Sequence, residues 1–149
     1  MNEKGQFISK EKTQNYIKEI IKYFADKEKN IDGIYIFGSI SRGEMREDSD
    51  IDIAVIGDFD FNDRLDFICD LEKKLRRKID LIDFNRSNLN FQAEIITNGE
   101  MIYCIDKEKI DLLEYKILAE YLVFEEDRKI VLDEIYKRGS VFDEKSSTE

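Results

Sequence analysis

The sequence predicts an α/β fold, more specifically an α+β arrangement in which a small mixed sheet is flanked by helices. Two observations support this prediction. Short runs of β-branched residues alternate along the chain with longer segments whose apolar residues recur at helical spacing. The chain has 149 residues, 42% of them hydrophobic, which is enough for one domain with its own core. We therefore expect a single domain over residues 1–138 and a flexible tail at 139–149.

The first elements along the chain are a helix and two strands. Apolar residues that repeat on one face predict a helix over 10–29, and Asn30 and Gly33 then break it. Enrichment in β-branched residues predicts strands at 31–37 and 49–56. We expect a turn and a short helical segment between these strands.

The second half of the chain continues the alternation. Apolar spacing predicts helices at 61–78 and 89–97, with strands at 79–84 and 101–105. From 107 to 137 apolar residues recur on one side, which predicts a long C-terminal helix or helix pair. Because an unbroken helix of that length would span or overshoot a domain of this size, we expect its far end to serve a partner.

The composition excludes several kinds of chemistry. The formal net charge of −10 disfavours non-specific nucleic-acid binding, which relies on lysine and arginine neutralising phosphates, so we expect no direct nucleic-acid partner. The chain has no histidine, which excludes His-based triads, His general bases and His-ligated zinc. Carboxylate, hydroxyl and metal chemistry remain for catalysis.

Cysteine usage and the start of the chain indicate the compartment. Cys69 and Cys104 are too few for a disulfide framework, which suits a reducing cytoplasm, and we expect both to be packed rather than reactive. The polar N-terminal segment has no apolar stretch long enough for a signal peptide or a membrane span. The sequence therefore predicts a soluble cytoplasmic protein with no membrane partner, and a homo-oligomer is compatible with it.

The most informative segment places a Gly-Ser turn before two closely spaced acids. It reads Gly38-Ser39-Ile40-Ser41-Arg42-Gly43, followed by Ser49-Asp50-Ile51-Asp52-Ile53. In a strand, side chains two positions apart share a face, so we expect Asp50 and Asp52 to project together. Carboxylates that close repel each other unless a cation lies between them or water screens them, and Mg²⁺ prefers oxygen ligands. The pair therefore predicts a magnesium site.

The remaining parts of such a site follow from the same chemistry. Glycine lets the backbone approach closely, and the next amides and the Ser39 hydroxyl can donate to phosphate oxygens. A site with two metal ions needs a third carboxylate. Asp80 opens the third predicted strand and shares a face with Ile82, whereas Asp83 points the other way, so we choose Asp80.

These motifs carry a resemblance to a known family. The stretch from Gly38-Ser39 through Asp50-Ile51-Asp52, with Ile79-Asp80-Leu81 later, resembles the DNA polymerase β nucleotidyltransferase superfamily. The small size, residues 80–86 and residues 94–99 make the chain similar to the minimal nucleotidyltransferase (MNT) antitoxins that are paired with HEPN toxins. The resemblance covers residues 31–105, and the long C-terminal helix also fits that group.

The resemblance implies a fold, a reaction and a set of roles. It implies a mixed sheet flanked by helices, two Mg²⁺ ions, ATP as the nucleotide donor, and adenylylation of a tyrosine on the cognate HEPN toxin. By this carry-over Gly38 and Ser39 hold the triphosphate, Asp50 and Asp52 ligate metal, and Asp80 ligates metal and accepts the acceptor's proton. Arg42 departs from the small residues common at its position in the family and is assigned to phosphate binding or to solvent.

Other interpretations stay open at this point. Asp50 and Asp52 are also typical of a solvated turn, and Asp80 is also typical of a strand edge. A set of basic residues could form a rim that binds nucleotide or could simply face solvent: Arg42, Arg46, Arg76, Arg77 and Lys78. A non-catalytic antitoxin could neutralise its partner by occlusion through the C-terminal helix. Transfer to a small molecule such as an aminoglycoside is a weaker alternative, because such enzymes usually bring a second domain.

Overall fold

The computed structural model describes residues 6–27 and 30–147, with side chains described as far as residue 137. It confirms the predicted class, a mixed α/β fold with a small sheet flanked by helices. The elements in chain order are α1 Lys10–Ala25, β1 Asn30–Phe37, α2 Gly38–Arg42, β2 Ile51–Asp58, α3 Phe61–Leu75, β3 Ile79–Asp83, a 3₁₀ turn Phe84–Arg86, α4 Leu89–Asn98, β4 Glu100–Cys104 and α5 Lys107–Ser147.

Several helix ends differ from the sequence prediction. The first helix ends at Ala25, and positions 28–29 of its predicted end lie outside the described residues. Helix α3 ends at Leu75 rather than at residue 78, because Arg76 adopts a left-handed conformation with φ of 54° and its N–H donates to the Glu72 carbonyl. A left-handed cap without glycine or asparagine is uncommon, so the residue types gave no stop signal here.

The sheet is mixed and has the strand order β3-β2-β1-β4. Strand β1 pairs antiparallel with both β2 and β4, whereas β2 and β3 run parallel. The C-terminal end of β1 therefore meets the N-terminal ends of β2 and β3 at one edge of the sheet. The Gly-Ser segment and the candidate acids all lie at this edge.

The sheet buries both faces, each against different helices. The face toward α1 and α3 contributes Ile34, Ile36, Ile53, Val55 and Leu81 to one core, with Ile20, Phe24, Phe67 and Leu71 from the helices. The opposite face contributes Tyr35, Ala54 and Ile56 to a second core, with Phe84, Ile95, Ile110 and Ile117. Burial on both faces explains why the central strands read as nearly continuous apolar runs.

Helix α3 buries a face that does not include Cys69. Its N-terminus carries a capping box between Asp60 and Asp63, and its buried residues are Phe67, Leu71 and Leu75. Cys69 lies two positions after Phe67, roughly opposite on a helix with about 3.6 residues per turn, and is exposed. The expectation that Cys69 is packed in the core was therefore wrong, while Cys104 is half-buried.

Helix α5 begins on the domain and then leaves it. Ile110 and Ile117 are buried in the second core, whereas Phe124, Val131 and Ile135 are between 47% and 57% exposed. It forms one helix rather than a pair, and its backbone stays helical to Ser147. The division into a domain at 1–138 and a tail at 139–149 stays a prediction, and 148–149 lie outside the described residues. No helix within 6–27 and 30–147 combines the length and apolarity that a membrane span requires.

A partly buried hydrogen bond joins α5 to the sheet and gives a stability prediction. The Tyr35 hydroxyl donates to Glu114 Oε2 at 2.6 Å, and burial together with this bond raises the pKa of Tyr35. We expect Tyr35→Phe to lower the free energy of unfolding by about 1–2 kcal/mol, because a charge-assisted bond is lost. Urea denaturation measures this, with Tyr115→Phe as the control because Tyr115 is 72% exposed. Equal stability of the two variants would show that the bond contributes nothing.

Candidate functional site

Two of the candidate acids lie side by side on neighbouring strands. Asp52 is the direct partner of Asp80 across the parallel pair of β2 and β3, and Phe37 is the partner of Asp52 across β1. Directly paired residues project to the same face of a sheet. Phe37, Asp52 and Asp80 therefore form one row across three strands, on the face that α4 covers.

The electrostatics of Asp52 reflect this crowding. The pKa of Asp52 is raised to about 6, mainly by burial and in addition by the charges of Asp80 and Asp50. A hydrogen bond in which protonated Asp52 donates to Asp80 also raises this pKa. The positive charge of the Arg42 guanidinium lowers it. The site therefore holds repelling carboxylates close together, at a stability cost that a bound cation would relieve.

Asp50 is placed differently from the sequence prediction. Strand β2 begins at Ile51, so Asp50 is exposed just before the strand and not inside it, as the predicted strand at 49–56 had placed it. The cause is the preceding turn, in which the Ser49 N–H donates to the Arg46 carbonyl. Pairing of β2 starts only where the Ile51 N–H donates to the Lys78 carbonyl at 2.9 Å. The charge of Asp50 still raises the pKa of Asp52.

Arg77 holds this turn in place. Its Nη1 donates to the carbonyls of Arg46 at 2.7 Å and Ser49 at 2.9 Å, and its Nε donates to the Tyr16 hydroxyl at 3.0 Å. Arg77 is therefore occupied in packing and does not form part of a free basic rim. It fixes the backbone that leads into Asp50, a role that the sequence did not reveal because the partners are carbonyls 28 and 31 residues away.

The Gly-Ser segment lies against the Asp52 carboxylate. Gly38 has φ of 67°, and a Cβ added there would overlap Asp52 Oδ2 and lie 3.2 Å from Asp52 Cγ. The Ser41 hydroxyl donates to the Gly38 carbonyl at 3.0 Å and fixes the turn. Ser39 is half-buried, and within the described part of the chain its hydroxyl has no hydrogen-bond partner. Only glycine allows this approach of backbone to carboxylate.

Arg42 and Asp83 are the remaining candidates from the sequence. Arg42 donates through Nε to Glu44 Oε2 at 3.0 Å, yet remains near enough to Asp52 to lower the pKa of that carboxyl. Asp83 lies at the opposite end of β3 from Asp80 and pairs with Arg86 at 3.5 Å. The structure therefore brings Asp80, and not Asp83, to Asp52.

A cavity of about 430 Å³ adjoins the carboxylate row, and sequence reasoning missed it. Phe37, Gly38 and Arg42 line one side of it, and Phe91, Glu94, Ile95 and Asn98 of α4 line the other. The α4 residues were missed because a sequence does not show which side of a helix faces a site. Phe37 was the one available signal, since it directly precedes Gly38.

The donor set can be tested against a divalent cation. Asp52 and Asp80 supply hard oxygen donors at close range, and their mutual repulsion is what a bound Mg²⁺ would neutralise. Over 6–27 and 30–147, however, no three His, Cys, Asp or Glu side chains are already arranged to hold a metal ion. The pair fits the cation, and Asp50, which is exposed just before β2 and whose charge raises the pKa of Asp52, is the candidate for a third ligand.

Comparison with known proteins shows which family shares this sequence and fold. The family model described as polymerase beta, nucleotidyltransferase matches residues 18–108, more than half of the chain. The protein adenylyltransferase MntA of Shewanella oneidensis is 27% identical over 119 residues, which cover 78% of this chain and 85% of MntA.

Solved structures show the same fold over most of the chain. One is a tri-AMPylated Shewanella oneidensis HEPN toxin in complex with an MNT antitoxin, with 25% identity, a TM-score of 0.66, and coverage of 83% of this chain and 98% of that chain. Another is a toxin–antitoxin complex with AMP-PNP, with 25% identity, a TM-score of 0.65 and the same coverage. The matched range of the family model includes the Gly-Ser segment and all three candidate acids.

Proposed function

The chain belongs to the polymerase beta nucleotidyltransferase family, and from this premise we propose that it is an antitoxin that transfers AMP from ATP to a tyrosine hydroxyl of a cognate HEPN toxin. The observation that carries the proposal is the row of Asp52 and Asp80 beside the Gly38 turn. The similarity to MntA and to complexes that contain an AMPylated toxin or AMP-PNP supports the acceptor and the donor.

The chain's own residues account for the steps of transfer. The Ser39 hydroxyl and the first amides of α2, whose N-cap Phe37 offers no side-chain cap, donate to the triphosphate, and Arg42 adds positive charge. Asp80 accepts the proton of the tyrosine hydroxyl as its oxygen attacks the α-phosphorus. The bond between that phosphorus and the bridging oxygen breaks, and pyrophosphate leaves.

Divalent cations complete the proposed site. Asp50, Asp52 and Asp80 would hold two Mg²⁺ ions, which supply Lewis-acid stabilisation of the charge that develops on the phosphate oxygens. Carboxylates that repel each other without metal become mutually compatible ligands with it.

The partner surface follows from charge and exposure. A chain with net charge −10 suits a basic, RNA-cleaving partner, since complementary charge speeds encounter. The exposed apolar residues Leu122, Val123 and Phe124 of α5 offer a surface that such a partner can contact. In this proposal both proteins act in the cytoplasm, and the antitoxin itself contacts no nucleic acid.

The decisive experiment weighs the partner. We expect incubation of the purified toxin with this protein, ATP and Mg²⁺ to add whole adenylate units to a toxin tyrosine and to suppress its ribonuclease activity. Intact-mass and peptide mass spectrometry measure this, and the absence of any added adenylate would refute transfer. If Asp50→Asn still protects cells from the toxin without adding adenylate, neutralisation occurs by complex formation instead.

The hydrogen bonds by which Arg77 holds the turn before Asp50, here called the Arg77 clamp, give a separate prediction. Arg77→Lys has one nitrogen in place of Nε and Nη1, so it cannot hold the Tyr16 hydroxyl and the two carbonyls at once in a fixed geometry. We therefore expect the turn before Asp50 to loosen and the Mg²⁺ concentration for half-maximal transfer to rise roughly ten-fold or more. The rate at saturating Mg²⁺ should change little. Arg76→Lys is the matched control, because Arg76 is the exposed neighbour. An unchanged Mg²⁺ requirement in Arg77→Lys would remove the clamp from the account.

A further inference from the structure

The cavity begins at Phe37, the end of the row that Phe37 forms with Asp52 and Asp80. Phe37 is the cross-strand partner of Asp52, and Gly38 contacts the Asp52 carboxylate, so both residues border the acids and the cavity at once. A molecule whose phosphates lie at Gly38 can therefore place the group attached to those phosphates in the cavity. The volume of about 430 Å³ lies within the range of pockets that hold small ligands.

The walls of the cavity suit a planar ring. Phe37 and Phe91 meet edge to face with their ring centroids 5.8 Å apart, and Ile95 is buried beside them. Aromatic side chains in this arrangement offer an apolar surface against which a base can pack.

The polar groups at the cavity lie on one side of α4. Glu94 and Asn98 are four positions apart, so they lie on the same helix face, one turn from each other. Both are exposed, and neither side chain has a hydrogen-bond or ion-pair partner among the residues that the structure describes. A carboxylate and an amide without partners at the mouth of an apolar cavity are suited to recognising a ligand edge.

We propose that this cavity receives the nucleobase of the donor nucleotide, and that Glu94 and Asn98 select adenine over guanine through the amino group at C6. The inference rests on the proposed function and adds the origin of base preference to it. A carboxylate accepts from the amino N–H of adenine, and an amide can pair with the adjacent donor and acceptor of the same base. Guanine presents a carbonyl oxygen at the equivalent position, which the Glu94 charge repels.

Nucleotide binding without the toxin tests this inference. Calorimetry of the full chain with AMP-PNP and GMP-PNP is expected to show roughly ten-fold tighter binding of AMP-PNP, as loss of one hydrogen-bonded edge predicts. Glu94→Gln should erase the preference by improving GMP-PNP binding. Asn98→Ala should weaken AMP-PNP binding roughly ten-fold, whereas Asn90→Ala on the same helix, which does not line this cavity, should not.

The outcomes separate this inference from the proposed function. If Glu94→Gln and Asn98→Ala bind both analogues like the unaltered protein while the toxin is still adenylylated, the base lies elsewhere and the inference fails alone. If Asn98→Ala instead raises only the KM for the toxin, the cavity holds the acceptor, which also overturns it. If the α4 variants change base preference but no toxin is adenylylated, the inference stands and the proposed acceptor fails.

Discussion

Replacing Asp52 with asparagine is expected to abolish AMP transfer while making the metal-free protein more stable. A lost metal ligand removes several kcal/mol of transition-state stabilisation, so transfer should fall roughly a thousand-fold or more. The amide can still donate a hydrogen bond to Asp80, so the local geometry is retained. The opposite signs of the two effects mark a carboxylate kept for function rather than for folding.

The stability effect follows from the pKa of Asp52. Burial and the neighbouring charges of Asp80 and Asp50 raise that pKa from 3.8 to about 6. Between these values the folded chain keeps a proton that the unfolded chain has released, so stability without metal falls as the pH rises through this window. At pH 7 we expect Asp52→Asn to gain about 1 kcal/mol, a figure reduced for the solvent that reaches the half-buried group.

Thermal denaturation without metal, at about pH 4 and pH 7, measures this effect. The gain should be present at the higher pH and largely absent at the lower one, and Mg²⁺ with AMP-PNP should stabilise only the unaltered protein. Asp58→Asn is the control, because Asp58 is exposed at the far end of the same strand. A variant that is less stable at pH 7, or that keeps its activity, would contradict this account of Asp52.

Replacing Gly38 with alanine is expected to lower transfer roughly a hundred-fold, since a displacement of about 1 Å at a reacting centre can cost that much. The added Cβ would overlap Asp52 Oδ2, and the carboxylate must move away from its position opposite Asp80. The positive φ of 67° adds about 1 kcal/mol of backbone strain.

Gly43 supplies the matched control for this prediction. It has φ of 68°, and a Cβ added there meets nothing within 4 Å. Gly43→Ala should therefore lose similar stability and retain most of its transfer activity. Steady-state transfer rates and urea denaturation of both variants separate strain from displacement of the carboxylate. Equal activities in the two variants would show that the contact between Gly38 and Asp52 is unimportant.

Local sequence patterns were sufficient for the fold class and for part of the candidate site. Helical and strand spacing depend on nearest neighbours, so the order of elements was predicted with shifted ends. Gly38 and Asp52 were identified because a Gly-Ser turn and closely spaced acids are local features. Asp80 was preferred to Asp83 from strand alternation alone, and the register of β2 with β3 places it beside Asp52.

Features that depend on distant partners could not be predicted in the same way. Asp50 lies before β2 because Arg77 and Lys78, from a later segment, determine where pairing begins. The Glu94 side of α4 faces the site because Ile95 packs in the second core. In both cases tertiary contacts, rather than residue types in one window, decide the outcome.

The central claim is that Asp50, Asp52 and Asp80 converge on divalent cations beside the Ser39 turn. Counting Mn²⁺ ions bound to the full chain by electron paramagnetic resonance, with AMP-PNP present, tests it most directly. We expect about two ions per chain and their loss in both Asp52→Asn and Asp80→Asn. An unaltered protein that binds no Mn²⁺, or variants that bind as many ions as it does, would contradict the claim.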